Sequence, residues 1–220
     1  MNILLSSYDF HEEWAKPIME PIIDKNMKVT VIPFSFDEKE VKNKEDFDHH
    51  YGENGRHTPY IYRPFLYYGI ARENIIFVDY FRDSIEIMQE KIKNADILFL
   101  TGGLPDQYMK RLKEKKLTDF IVNNHQIIIG ASAGAMVQFD TYHVTPDDDY
   151  PFYHYQHGLA MVSGFEIEVH YCHSSVQNEG IKRVMAERGL PTYTVANDGG
   201  ILVDNKGKII PFGHAYLVNE

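Results

Sequence analysis

Short apolar runs alternate with amphipathic segments of helical period along the first 131 residues. Apolar runs flanked by turn residues predict strands at 2–5, 27–34, 74–78, 95–101 and 126–131. Helical spacing predicts helices at 12–24, 84–94 and 106–123, and a helical stretch within 60–69 after Pro64. Strands that alternate with helices form parallel sheets covered on both faces. The pattern therefore predicts an α/β fold, a three-layer sandwich with a mostly parallel central sheet.

The pattern changes after residue 132. It predicts a helix starting at 133–138, a strand at 165–169 and a helix at 174–188 that ends at Gly189. Short strands are predicted at 193–196, 200–203 and 208–211, the last two joined by a hairpin turn at 204–207. Residues 37–60 are rich in charge and are predicted to form a surface loop or lid. Since no linker is evident, residues 1–220 are predicted to form one domain.

Composition restricts the classes of partner and compartment. The formal net charge of -10 argues against nucleic acid as the main partner, because a polyanion would be repelled. Cys172 is the single cysteine and cannot form an internal disulfide, which favours a reducing compartment. Residues 1–6 lack the basic start of a signal peptide, and no stretch has the length of a membrane span. We expect a cytoplasmic protein without a membrane partner.

The strand at 126–131 leads into Gly-Ala-Ser-Ala-Gly, centred on Ser132. A serine on such a strand-to-helix turn has its hydroxyl exposed above the sheet, and Gly130 and Gly134 allow the close backbone approach. The N–H groups at the start of the following helix point towards developing negative charge. Ser132 is therefore a candidate nucleophile. The alternative is a turn of small residues that only packs tightly.

A glycine pair, Gly102-Gly103, follows the preceding predicted strand. Backbone N–H groups leaving a parallel strand in this way can face the carboxyl edge of the sheet, where ligands collect. The pair is therefore a second candidate source of oxyanion donors. Its alternative is a simple tight turn.

A serine nucleophile needs a base, and among the 11 histidines His170 has the best position, directly after a predicted strand. His173 cannot be excluded by spacing. Together they could suggest a metal site, but no matching ligand pair accompanies them. Cys172 lacks an elbow of its own and is interpreted as a packing residue.

The carboxylate behind the base has two candidates. Asp198 lies in a glycine turn that could fix its side chain, and residues 147–149 form an acidic loop after the elbow. Either could instead be a solvated turn residue. Glu166 and Glu168 lie too close to His170 in sequence to be favoured.

Several of these segments together resemble the peptidase E family. The matching segments are LFLTGG at 98–103, GASAGA at 130–135, GL at 158–159, GF at 164–165, HY at 170–171 and NDGGILV at 197–203. The family contains aspartyl dipeptidases and cyanophycinases on a class I glutamine-amidotransferase-like fold. The resemblance implies Ser132 as nucleophile, His170 as general base and then acid, and the N–H groups of Gly103 and Ala133 as oxyanion donors. It places the third member at Asp198, where many relatives carry Glu, and implies no metal or cofactor.

Relatives that prefer an N-terminal aspartate have an arginine soon after the histidine, whereas residues 170–181 contain no Arg or Lys here. Arg56, Arg63 or Arg82 could replace it from the lid side. We expect a serine exopeptidase of the dipeptidase type acting on short peptides, with an N-terminal aspartate as one substrate to test. The alternatives are an esterase or amidase acting on small metabolites, and a non-catalytic ligand-binding relative. The sequence leaves the oligomeric state open between monomer and homodimer.

Overall fold

The structure is a computed structural model that describes residues 1–124 and 126–218. His125 and residues 219–220, which the predicted domain includes, lie outside the described residues. The strands are β1 (Asn2–Leu5), β2 (Val29–Ile32), β3 (Ile75–Phe77), β4 (Ile97–Leu100), β5 (Ile127–Ala131), β6 (Thr141–Val144), β7 (His154–His157), β8 (Glu166–Val169), β9 (Thr192–Val203) and β10 (Ile209–Leu217).

The central sheet has the order β10-β9-β1-β5-β4-β2-β3. The five strands from β1 to β3 in this order are parallel, whereas β9 pairs antiparallel with both β1 and β10. β8 lies parallel to the first half of β9. The prediction of a mostly parallel α/β sheet is confirmed.

Helices cover both faces of the sheet. They are α1 (Lys16–Met19), α2 (Lys44–Tyr51), α3 (Thr58–Tyr67), α4 (Ile85–Lys93), α5 (Pro105–Glu114), α6 (Thr118–Val122), α7 (Ala133–Met136) and α8 (Ser175–Arg188). Side chains of a strand alternate between two cores: Leu4 of β1 belongs to one buried cluster, and Ile3 and Leu5 to the other. Burial on both faces explains why the parallel strands appear as continuous apolar runs. None of the described helices is both long enough and apolar enough to cross a bilayer.

The long strand β9 brings the ends of β1 and β8 together. Its first part pairs with β8 up to Val195, and its last part pairs with β1 from Gly200 onwards. Because β8 is parallel and β1 antiparallel to β9, their carboxyl ends face each other at residues 196–199. The two short strands predicted at 193–196 and 200–203 are therefore one strand, with a bulge between them.

Two predicted helices are shorter than expected. The helix predicted at 12–24 is reduced to α1, consistent with Pro17 at its start and Pro21 beyond its end, since proline cannot continue a helix interior. The helix predicted at 106–123 is divided into α5 and α6 at Lys116, which has a φ of 55°. Amphipathic spacing continues across this break, so the pattern did not reveal it.

Residues 37–60, predicted as a loop or lid, contain a capped helix. Asn43 accepts a hydrogen bond from the Asp46 N–H at the start of α2, and Phe47 and Tyr51 are buried beneath it. The following helix α3 begins at Thr58, before the predicted start, and includes Pro64. This segment is packed onto the sheet through aromatic side chains.

The antiparallel pair β6–β7 was not predicted from the sequence. Its strands are only four residues long, and His154–His157 has no apolar alternation. The acidic loop at 147–149 lies between these strands.

Gly130→Ala tests how tightly the strand-to-helix turn is packed. A Cβ at Gly130 would lie 2.0 Å from the Gly134 carbonyl oxygen, so we expect a loss of about 3 kcal/mol or more of unfolding free energy. Gly189→Ala is the matched control, because its added Cβ would meet no atom within 4 Å and only the positive φ of 62° is strained. We expect it to cost about 1 to 2 kcal/mol. Equal losses in urea unfolding would contradict the packing argument.

Candidate active site

Ser132 occupies the strained turn between β5 and α7. Its φ of 52° and ψ of -117° lie outside the regions that non-glycine residues normally adopt. The surroundings fix this conformation: the Ser132 N–H donates to the Leu5 carbonyl at 2.8 Å, and a Cβ at Gly134 would lie 2.0 Å from the Leu100 carbonyl oxygen. Backbone strain held in this way is typical of functional positions.

Two backbone N–H groups close to Ser132 are available for an oxyanion. Ala133 is the first residue of α7, where an N–H has no intrahelical partner, and the Gly103 N–H has no partner among the described residues. Gly102 differs from expectation, because its N–H donates to the Tyr8 hydroxyl at 2.8 Å. Gly102 instead provides space, since a Cβ there would lie 3.2 Å from the Ser132 Cβ.

Tyr8 was not identified from the sequence. Its hydroxyl accepts the hydrogen bond from the Gly102 N–H. Burial raises the pKa of Tyr8 to about 12, so the phenol stays protonated at neutral pH. No local motif marks it, because the contact joins residues 94 positions apart.

His170 directly follows β8 and has a φ of 52°. Its N–H donates to the Ser6 hydroxyl at 3.0 Å, and its Nδ1 lies 2.7 Å from the Asn197 Oδ1. The exposed imidazole and the half-buried Ser132 line one cavity of about 210 Å³. No hydrogen bond joins them in the described part of the chain, which is common when no substrate is bound.

The expected contact between Asp198 and His170 is not formed. The Asp198 Oδ2 lies 2.6 Å from the Nδ1 of His214 instead, and Asn197 takes the place behind His170. The bulge in β9 explains the exchange: residues 196–198 stand opposite His214 alone, so neighbouring side chains point towards different partners. In the sequence this segment has the pattern of a glycine turn after a short strand, and no local signal marks Asn197 as the partner of His170.

The alternative acid, Asp147, lines the cavity but also does not contact His170. Its Oδ1 accepts the N–H groups of Asp149 and Tyr150, which fixes it within its own loop. His173 has a φ of 63° and its ring packs against Tyr171. Cys172 is exposed rather than packed, which corrects its interpretation.

A buried charged cluster forms part of the cavity wall. The His143 Nδ1 lies 3.0 Å from Glu166, and its Nε2 lies 2.9 Å from Glu168. The Thr145 hydroxyl donates to the same Glu168 oxygen at 2.7 Å, and the Arg188 guanidinium lies 2.5 Å from Glu166. The signal in the sequence is the pair Glu166 and Glu168, which stand at alternate positions of a predicted strand. Their closeness to His170 in the chain disfavoured them as its acid, but it does not exclude a structural cluster.

The cluster keeps His143 charged. Burial alone would lower the pKa of His143, but hydrogen bonds to Glu166 and Glu168, reinforced by their negative charge, raise it to about 9. A buried carboxylate pair is tolerated only with such a counter-charge. His143 therefore holds the two acids in place at neutral pH.

A second cavity of about 290 Å³ lies beside the first, with Gly103 and Asp149 in both walls. Helix α2 and the residues after it contribute His50, Arg56 and His57. Of the three arginines expected from the lid side, Arg56 lines this second cavity and is 2.5 Å from Glu40. The other two pair elsewhere: Arg63 with Asp9, and Arg82 with Asp48 and Asp79.

The model of peptidase family S51 matches residues 3–210. This chain belongs to that family. Two solved structures are similar. A candidate peptidase E protein from Listeria monocytogenes EGD-e has a TM-score of 0.67 at 18% identity, covering 96% of each chain. A peptidase from an acI-B1 Actinobacterium has a TM-score of 0.59 at 14% identity, covering 100% of this chain and 87% of the other. No curated protein gives a significant match. The predicted resemblance to peptidase E and its class I glutamine-amidotransferase-like fold is confirmed.

His143→Gln tests the charged cluster. The change leaves Glu166 and Glu168 buried without a cation between them, so we expect a loss of about 3 to 5 kcal/mol of unfolding free energy. His157→Gln, on the exposed side of the same hairpin, should change it by no more than about 0.5 kcal/mol. Similar losses for both variants in urea unfolding would refute the role of the cluster.

The raised pKa of His143 also predicts a pH dependence of stability. The folded protein binds this proton more tightly than the unfolded chain, whose value is 6.5. The contribution is complete below pH 6.5 and is lost as the pH rises through about 9. Urea unfolding should show that the free energy of unfolding falls as the pH rises across this range, and that it falls less in His143→Gln. An equal fall in the variant would argue against the contribution of His143.

Proposed function

We propose that this S51 family member is a serine exopeptidase of the dipeptidase type that cleaves short peptides. The observation that carries the proposal is the strained Ser132, in one cavity with His170 and beside two free backbone donors. The dipeptidase type is taken from the resemblance to the peptidase E family, which the S51 match supports.

Catalysis begins when the Ser132 hydroxyl attacks the first peptide carbonyl while His170 Nε2 takes its proton. The N–H groups of Gly103 and Ala133 stabilise the resulting oxyanion. His170 then donates the proton to the leaving amine as the C–N bond breaks. Water, activated by the same imidazole, releases the acyl group and restores Ser132.

Asn197 is proposed as the positioning residue for His170. Its side-chain oxygen accepts a hydrogen bond from Nδ1–H, which leaves Nε2 as the basic nitrogen. An amide stabilises the imidazolium less than a carboxylate would. The exposed position of His170 compensates in part, because water solvates the charge.

An N-terminal aspartate would need a cation close to Ser132. No lysine or arginine lines the Ser132 cavity in the described residues, and Arg56 is separated from it by the glycine pair. Aspartate-initiated dipeptides therefore serve as a comparison substrate rather than the expected optimum.

The second candidate is a ligand-binding relative without catalysis. It is favoured by the missing hydrogen bond between Ser132 and His170 in the described residues and by an amide in place of the acid. The two candidates differ in the reactivity of one hydroxyl.

Labelling with a fluorophosphonate tests this reactivity. We expect stoichiometric labelling of Ser132, measured by mass spectrometry, and loss of the label in Ser132→Ala. Peptide hydrolysis should fall by at least about 10³-fold in the same variant. A folded wild-type protein that neither labels nor hydrolyses any dipeptide would favour the ligand-binding candidate.

The neighbouring pair Asn197 and Asp198 separates the two possible partners of His170. Asn197→Ala removes the acceptor at Nδ1 and should lower kcat by about 10-fold or more, with little change in KM. Asp198→Ala is the matched control, since its carboxylate contacts His214, and we expect kcat within about 3-fold of wild type. The reverse ranking would restore Asp198 as the third member.

A further inference from the structure

The wall of the Ser132 cavity contains a carboxylate oxygen with no hydrogen-bond partner in residues 1–124 and 126–218. Glu168 is only 6% exposed, yet it lines the cavity. Its Oε2 accepts hydrogen bonds from His143 and Thr145, whereas its Oε1 has no hydrogen bond among the described residues. Oε1 is not among the described buried side-chain atoms that lack a partner, so it is open to the cavity and can accept a hydrogen bond from a ligand.

The positive and negative charges of the cluster are unevenly distributed between Glu166 and Glu168. Arg188 lies at Glu166, and His143 is shared between the two acids, so the positive charge is concentrated on the side of Glu166. Glu168 is the negative end and the only one of the two acids that lines the cavity. His143 and Thr145 also fix the carboxylate, so little conformational freedom would be lost when a ligand binds.

The wall contains two further acidic residues besides Glu168. Asp147 and Asp149 are exposed at the cavity, and no lysine or arginine lines it in the described part of the chain. Aspartate side chains of a substrate would meet like charge here, and a cation would meet opposite charge.

We propose that Glu168 binds a cationic group of the substrate, an ammonium or a guanidinium, in the Ser132 cavity. That the bound cation belongs to a substrate rests on the proposed peptidase function. The presence of the binding site does not depend on that function. The cation can come from the free amino terminus or from a basic side chain, since both present N–H donors and positive charge. Glu168 is thus a specificity-determining residue, and the enzyme prefers cationic peptides to aspartyl peptides.

Binding to the Ser132→Ala chain tests the site without hydrolysis. Calorimetry with lysinamide, norleucinamide, N-acetyl-lysinamide and aspartic acid amide separates the two sources of charge. Norleucinamide lacks only the side-chain ammonium, and N-acetyl-lysinamide lacks only the terminal one. The derivative that fails to bind identifies the cation that Glu168 holds.

Glu168→Gln on the Ser132→Ala background should weaken lysinamide binding about 10- to 100-fold. Glu166→Gln is the matched control: it removes the same charge from the same histidine, but its residue does not line the cavity. We expect its binding constant to stay within about 3-fold of the parent chain. Thermal unfolding of both variants shows whether each is folded.

Equal weakening by both variants would show a structural cluster only and overturn the inference. Tighter binding of aspartic acid amide than of lysinamide, or no binding of any amide, would also overturn it. These preferences of the Ser132→Ala chain, in which Glu168 is intact, decide the matter even if Glu168→Gln does not fold. If lysinamide binding depends on Glu168 but the wild-type protein hydrolyses no peptide, the cation site is supported and the peptidase assignment is wrong.

Discussion

The carboxyl end of β1 holds both halves of the candidate active site through backbone and hydroxyl hydrogen bonds. Leu5 accepts the N–H of Ser132, and the adjacent Ser6 hydroxyl accepts the N–H of His170 while donating to the Val195 carbonyl. Two consecutive residues therefore tie the candidate nucleophile, the candidate base and β9 together. This is possible because β1 and β8 approach each other along the same strand, so the geometry of the candidate site depends on the sheet topology.

Both candidate catalytic residues have positive φ values. Ser132 and His170 each have a φ of 52°, a conformation that costs on the order of 1 to 3 kcal/mol in a non-glycine residue. Neighbouring glycines make room for the first, and the hydrogen bond to Ser6 holds the second. The packed sheet offsets this strain and prevents the two side chains from relaxing away from the cavity.

The electrostatics of the site divide into a neutral and a charged part. His170 is exposed, and its Nδ1 faces the neutral side-chain amide of Asn197. Another part of the site contains a buried histidinium between two carboxylates, whose opposite charges offset each other. The neutral part suits proton transfer, whereas the charged part suits recognition, because a fixed charge discriminates between ligands of opposite sign.

Local patterns in the sequence determined the parallel strands, the Ser132 elbow, the glycine pair and the position of His170, because each depends on residues adjacent in the chain. The partner of His170 was decided by the tertiary structure. Asn197 and Asp198 are neighbours, and a bulge in β9 determines which of them faces the histidine. The His143 cluster likewise joins residues 23 and 25 positions apart, which only strand packing brings together. Sequence periodicity specifies which face of an element is buried, but the register between elements depends on contacts that no local window contains.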